Sequence, residues 1–378
     1  MYFNKNLLIY SGFILIVIAT LLLRIQLFPF ITGDYLNALL PWFNFYKIHG
    51  FTGFQTGVGD YNVSYQYFLY LLTKTNFSPL VAIKILSVCF DFVLAFAIYI
   101  TVRALRCDSI YSALIFSSVI LLSPTVFYNS ALWGQCDALY TSFLVFSFYF
   151  VIKNKHHFAW LMWGISFTFK LQSIFFLPFL LYILLTRSKK LRDLLHPLIV
   201  LGVIFVSYLP SLIAGRSLKS LLSVYTGNVG QYKLLNFNAP NWLHWLPDDR
   251  YDLFSKSLII LTIGCLALLM VFVFINYEKI KNKNRHDAIL AVILLISCPF
   301  LLPEMHERYF FTADIFAILL CAISMNFIAV SIGVSLISFL SYSIVLFGKT
   351  IMPFDYLAFM MAGILIYLLY RLRCEYLD

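Results

Sequence analysis

Residues 302–310 read Leu302-Pro303-Glu304-Met305-His306-Glu307-Arg308-Tyr309-Phe310 and lie between two long apolar runs, 289–302 and 310–325. Two carboxylates, an imidazole and a guanidinium placed between segments that prefer hydrocarbon belong where a membrane meets water. Ionisable groups there are costly and normally face a cavity or one another, so they mark a functional site by default. The plainer reading is a tight polar turn in which Glu304 and Arg308, four apart, form a helical ion pair worth roughly 0.2–0.5 kcal/mol.

The rest of the chain supports the membrane reading. Its 378 residues are 62% hydrophobic and 12% charged, against about 25% charged residues in soluble domains. The useful unit is therefore a span of about 20 apolar residues rather than a soluble domain. Apolar runs fall at 7–28, 79–102, 110–127, 137–152, 158–169, 172–186, 195–214, 257–276, 287–302, 309–326, 327–347 and 355–371. The expected fold is an all-α polytopic bundle of about twelve transmembrane helices forming one integral-membrane domain over 1–378. The run after Lys5 is longer than a signal h-region and lacks an A-x-A cleavage site, so it reads as a retained first span. The seven cysteines show no CxxC or Cys/His ligand spacing, which argues against a disulfide framework, haem or structural zinc.

Basic residues set the orientation. Lys5, Arg103, Arg106, Lys153, Lys155, Arg371, Arg373 and the clusters at 187–192 and 279–285 all fall on one side of a twelve-span path. Short loops rich in Lys and Arg stay cytoplasmic, so both termini are expected inside the plasma membrane. The net charge of +10 follows from this bias, and no nucleic-acid partner is expected. The outer side then receives the first loop, 29–78, and the large loop, 215–254. The first loop carries aromatic-rich, amphipathic segments too short to span, expected to lie along the interface. The second carries Trp242, Trp245 and Asp248-Asp249-Arg250; the Trp pair reads as an interfacial anchor or, less simply, as part of a lid.

The same side receives Asp34, Asp60-Tyr61, Trp133-Gly134-Gln135-Cys136-Asp137, Phe169-Lys170-Leu171-Gln172 and Met305-His306-Glu307-Arg308. Asp34 near an apolar surface suits proton abstraction, or equally caps a helix over 37–46. Asp137 begins a span and can act as a cap. Lys170 can snorkel or hold a phosphate, and Arg308 offers a fork that grips phosphate bidentately. Lys84 and Asp91, seven apart, read as an internal polar contact along one helix. His156-His157 reads as solvated.

In this order, Asp34, Asp60-Tyr61, the Trp133–Asp137 stretch, Phe169–Gln172 and Met305-His306-Glu307-Arg308-Tyr309 resemble the marks of the GT-C superfamily of integral-membrane glycosyltransferases. The nearest branch comprises bacterial proteins related to the second mannosyltransferase of GPI-anchor synthesis. The resemblance implies inverting transfer of a hexose from a polyprenyl-phosphate donor to a glycan or glycolipid acceptor on the outer face. It makes Asp34 the catalytic acid and assigns substrate binding to Asp60, Tyr61, Trp133, Gln135, Asp137, Lys170, Gln172, His306, Glu307 and Arg308. Leu36 stands where a D-x-D motif would have its second acid, so no cofactor is expected and a bound divalent metal has no motif behind it. Asn62-Val63 and Leu171 replace prolines common in the family. From a different class, a multi-span transporter or lipid-linked sugar flippase would also need a polytopic bundle, with ions near the bilayer midplane.

Overall fold

The structure is a computed structural model and describes residues 5–105, 110–227, 233–247 and 250–377. Arg106, Cys107, Asp248 and Asp249 lie outside the described residues. The chain divides into two compact units, 1–171 with 197–228 and 172–196 with 229–378.

The first unit opens with α1 (Lys5–Leu27), followed by a π-turn, Tyr35–Leu39, and the short helices α2 (Leu40–His49) and α3 (Val63–Leu72). The first loop is thus ordered into helices too short to span, as its composition suggests. Next come α4 (Pro79–Leu105) and α5 (Ile110–Leu122). After Ser123 the chain turns into α6 (Pro124–Phe127) and a second π-turn, Tyr128–Leu132. Pro124 at the first helical position is pre-set for the new start, and the two segments meet at 49°. The unit continues with α7 (Asp137–Ile152) and α8 (His156–Phe169). The chain then leaves for α9 (Leu177–Arg187) of the second unit and returns through α10 (Leu198–Ile213) and α11 (Leu218–Gly227). Helix α7 packs along α4 on one side and α8 on the other, and α10 closes on α8.

The second unit contains α9 and α12 (Tyr251–Ile275), α13 (Lys283–Leu301), α14 (Phe311–Ile323), α15 (Ile328–Ser341), α16 (Ser343–Phe347) and α17 (Phe354–Cys374). Residues 286–300 of α13 and 311–322 of α14 are buried all round, the condition of helices with no polar face. Between these two helices, β2 (Met305–His306) pairs in parallel with β1 (Asn236–Phe237).

The described residues are mostly helical, with two two-residue strands, and each of the twelve apolar runs is largely helix. Among the described residues seven helices are long and apolar enough to cross a membrane, or eight if the bent pair 110–132 counts as one span. The expectation of twelve spans is therefore not met by length. Helices α8, with 14 residues, and α14, with 13, rise only about 20 Å against a hydrocarbon core of about 30 Å. Helix α7 has 16. Hydropathy marks such segments as apolar without saying whether lipid or protein surrounds them.

Candidate functional site

The stretch Tyr128–Asp137 organises the first unit. Its π-turn widens the helix, so backbone N–H groups of Trp133, Gly134 and Gln135 donate to the carbonyls of Tyr128, Ser130 and Asn129. Gly134 sits at φ +80°, a conformation open to glycine at little cost. The reversal aims Trp133 and Gln135 back toward the first loop.

Both reach Asp34. Trp133 Nε1 donates to Asp34 Oδ2 at 3.0 Å and Gln135 Nε2 to the same oxygen at 2.7 Å. Asp34 is half-buried and makes no side-chain cap to the helix that follows it. The capping alternative therefore fails: Thr32 Oγ1 instead accepts from the Tyr35 N–H, and donates to the Trp133 carbonyl. Gln135 uses its other end as well, accepting from Tyr61 Oη at 2.8 Å. The Tyr61 ring rests edge-on against Trp42, with centroids 5.1 Å apart, and faces the Lys170 ammonium at 5.0 Å. Asp60 lies beside it, half-buried. Tyr61 is further held through its carbonyl by Gln66 Nε2, and Gln66 accepts from Tyr46 Oη.

Lys170 does not snorkel. It is 4% exposed, and its ammonium bonds Asp137 Oδ1 at 2.5 Å. Asp137, the first residue of α7, takes Asn129 Nδ2 on Oδ2 at 2.7 Å, so its carboxylate serves this cluster rather than as a side-chain cap. A helix N-terminus favours the negative charge it carries. Asp34, Trp133, Gln135, Tyr61, Lys170 and Asp137 thus form one hydrogen-bonded and cation–π network drawn from four chain segments.

Two buried charges behind this network have partners the sequence did not suggest. Lys84 and Asp91 do not meet. Lys84 Nζ donates to the carbonyls of Leu27, Phe28 and Phe30 at 3.2, 3.0 and 2.6 Å, capping the C-terminus of α1. Asp91 Oδ2 accepts from Arg24 Nε at 2.8 Å and Ser130 Oγ at 2.5 Å, and Arg24 and Asp91 are both 0% exposed. Seven residues on a helix are about 10 Å apart along its axis, too far for direct contact, whereas α1 brings Arg24 alongside. Ser130 and Asn129, neighbours in the π-turn, thereby touch one buried ion pair each. Polar residues in a broken apolar span were the signal available in the sequence.

Gln172, His306, Glu307 and Arg308 belong to the second unit. Gln172 is half-buried, with Oε1 lacking a hydrogen-bond partner among the described residues. Glu304 adopts φ +63° and pairs with the Tyr251 hydroxyl, which removes the helical Glu304–Arg308 pair. Arg308 Nη1 lies 3.5 Å from the adjacent Glu307 Oε1 instead, and Glu307 is buried. His306 stacks on Phe237 at 4.8 Å and contacts Tyr309 at 5.1 Å. Trp245 is exposed and Trp242 half-buried against Leu243 and Leu258. His157 is exposed, in keeping with the reading of His156-His157 as solvated, but His156 is half-buried. Among the described residues no three His, Cys, Asp or Glu side chains group closely enough to hold a metal.

No family model matches this chain, and no curated protein matches it.

Proposed function

We propose that this multi-span chain is a glycosyltransferase. It would move a hexose of mannose or glucose type, with inversion, from a polyprenyl-phosphate donor to a hydroxyl of a glycolipid or cell-surface glycan. The acceptor would be met on the extracytoplasmic face of the plasma membrane, with both termini cytoplasmic. The observation that supports this reading is the Asp34 carboxylate, half-exposed and held on one oxygen by Trp133 and Gln135. Such anchoring orients the carboxylate, and a base so placed can take the acceptor's proton as the new bond forms. Lys170, its charge already met by Asp137, fits the role of ordering Tyr61 and Asp137 better than that of gripping a phosphate. Arg308, with His306 and Glu307 beside it, keeps the donor-binding role in this reading.

Incubating the purified protein with a panel of polyprenyl-phosphate hexoses tests the proposal. Release of the polyprenyl phosphate, even with water as acceptor, is the expected result, and no turnover of any donor would end it. One observation favours a transporter or flippase instead: Arg24 and Asp91 are buried within two spans, and the bent pair 110–132 breaks a third. A flippase would translocate the donor across vesicles and leave it chemically intact.

A further inference from the structure

Arg216 lies three residues beyond the end of α10, at the start of the loop 215–254 and within the first unit. It is 9% exposed. Its Nε donates to Ser220 Oγ at 3.1 Å, and its backbone N–H to the Ser211 carbonyl at 2.9 Å, which fix where the side chain points. Its Nη1 is buried and has no hydrogen-bond partner among the described residues. Among the described residues, the ionisable groups whose charge acts on it are three phenols, Tyr46, Tyr67 and Tyr208, and no carboxylate.

Those phenols do not neutralise it. Tyr46 donates to Gln66, Tyr67 to the Ser207 carbonyl and Tyr208 to the Leu221 carbonyl. Burial pushes the pKa of both Tyr46 and Tyr67 up, so they stay uncharged, and burial pulls that of Arg216 down. Arg24 and Lys170, the buried cations of this unit bonded to carboxylates, show the usual solution. A buried charge without a counter-ion is heavily penalised, and proteins keep one where something else supplies the opposite charge. The backbone makes room for this one: at Gly57, φ +71°, an added Cβ would fall 2.2 Å from Nη1.

Two features name the counter-ion's chemistry. The guanidinium fork matches the oxygens of a phosphate group. Its place is just past the end of a helix apolar enough to span, among tyrosines, and in a bilayer the end of a span meets the headgroup level. We propose that Arg216 binds a lipid-borne phosphate, whether of a polyprenyl phosphate or of a phospholipid headgroup. The choice of polyprenyl phosphate rests on the transferase reading; the phosphate site does not.

The test uses the full chain purified in detergent, with thermal unfolding read alone and with farnesyl phosphate, dioleoyl phosphatidic acid or inorganic phosphate. The expected result is a rise in the wild-type midpoint of roughly 2–4 °C with at least one lipid phosphate at saturation. Arg216→Met should abolish that rise while unfolding, without ligand, no lower than wild type, because it removes an unpaired buried charge. Arg216→Lys should keep part of the rise. Whichever lipid phosphate acts names the source of the group. No rise with either lipid, a rise that survives in Arg216→Met, or an unliganded Arg216→Met that unfolds lower or fails to fold would each overturn the proposal. None of the probes carries a sugar, so failure of sugar transfer and failure of this site are read separately.

Discussion

Gln135 donates to Asp34 across 101 positions of the chain, at 2.7 Å, while its carbonyl oxygen accepts from Tyr61. One amide thus fixes both the candidate base and the ring that faces Lys170. Replacing it with leucine removes both bonds at nearly constant volume. Under the transferase reading, Gln135→Leu should lower kcat roughly 10–100-fold with the donor KM little changed, since the loss is one of orientation. Steady-state kinetics against donor concentration check this; a rise in KM alone would make Gln135 a donor contact.

Asp34→Asn is nearly isosteric and leaves an oxygen to accept from Trp133 and Gln135. It should lose the general base and little else, a fall of about 10²–10⁴ in rate with donor binding retained. Single-turnover assays beside a binding measurement separate the two. Near-normal turnover would move the role to Asp137, although that carboxylate is occupied by Lys170 and Asn129.

Gly59 has φ +73°, and an added Cβ would meet the Trp42 ring at 2.2 Å. Trp42 is the ring against which Tyr61 packs. Gly59→Ala should therefore act through Trp42 and Tyr61, lowering turnover while helical content holds. Circular dichroism beside the transfer assay reads it, and a variant with full activity would show that Tyr61 tolerates displacement.

Asp91→Ala leaves Arg24 buried without its counter-ion and should destabilise by roughly 3–5 kcal/mol. The double variant Arg24→Met/Asp91→Leu, with no charge left to compensate, should recover most of that. Unfolding in detergent, compared across the set, checks the order. A double variant as damaged as the single one would mean that the pair does more than cancel charge.

The proposed orientation puts Thr52 outside and Lys155 inside, and both are exposed. With native cysteines removed, Thr52→Cys should label with a membrane-impermeant maleimide in intact cells, and Lys155→Cys only after lysis. The reverse pattern would overturn the side assigned to Asp34.

Much of the fold was legible because long apolar runs leave the backbone few choices but helix. Span number was less so, since α8 and α14 are apolar yet too short by themselves to cross. Charged residues stand out against such a background, which makes Asp34, Asp137 and Lys170 legible from residue type, whereas Tyr61, Trp133 and Gln135 are marked only by the family resemblance of their stretches. Their partners could not be read along the chain. Lys84 and Asp91 share a helical face, but Asp91 is satisfied from α1 and Lys84 by the carbonyls at the end of α1. Arg216 escaped notice because a basic residue in a connection is ordinarily solvated, and only burial shows that this one is not.

The distance in sequence between Arg24 and Asp91, 67 residues, bears on how the chain is made. During synthesis α1 is complete well before α4 emerges, so a bare guanidinium must wait at the bilayer for its carboxylate. Placing such a residue at the centre of a span costs about 2.5–3.5 kcal/mol at the insertion step; Arg24 lies in the last turn, where the cost is smaller, and α1 is otherwise apolar enough to bear it. Helix α1 then waits for α4 to supply two things, a counter-ion for Arg24 and an ammonium for its last carbonyls. The first and fourth helices are thus assembled as partners, and a chain truncated between residues 28 and 91 would present the insertion machinery with an unmet charge.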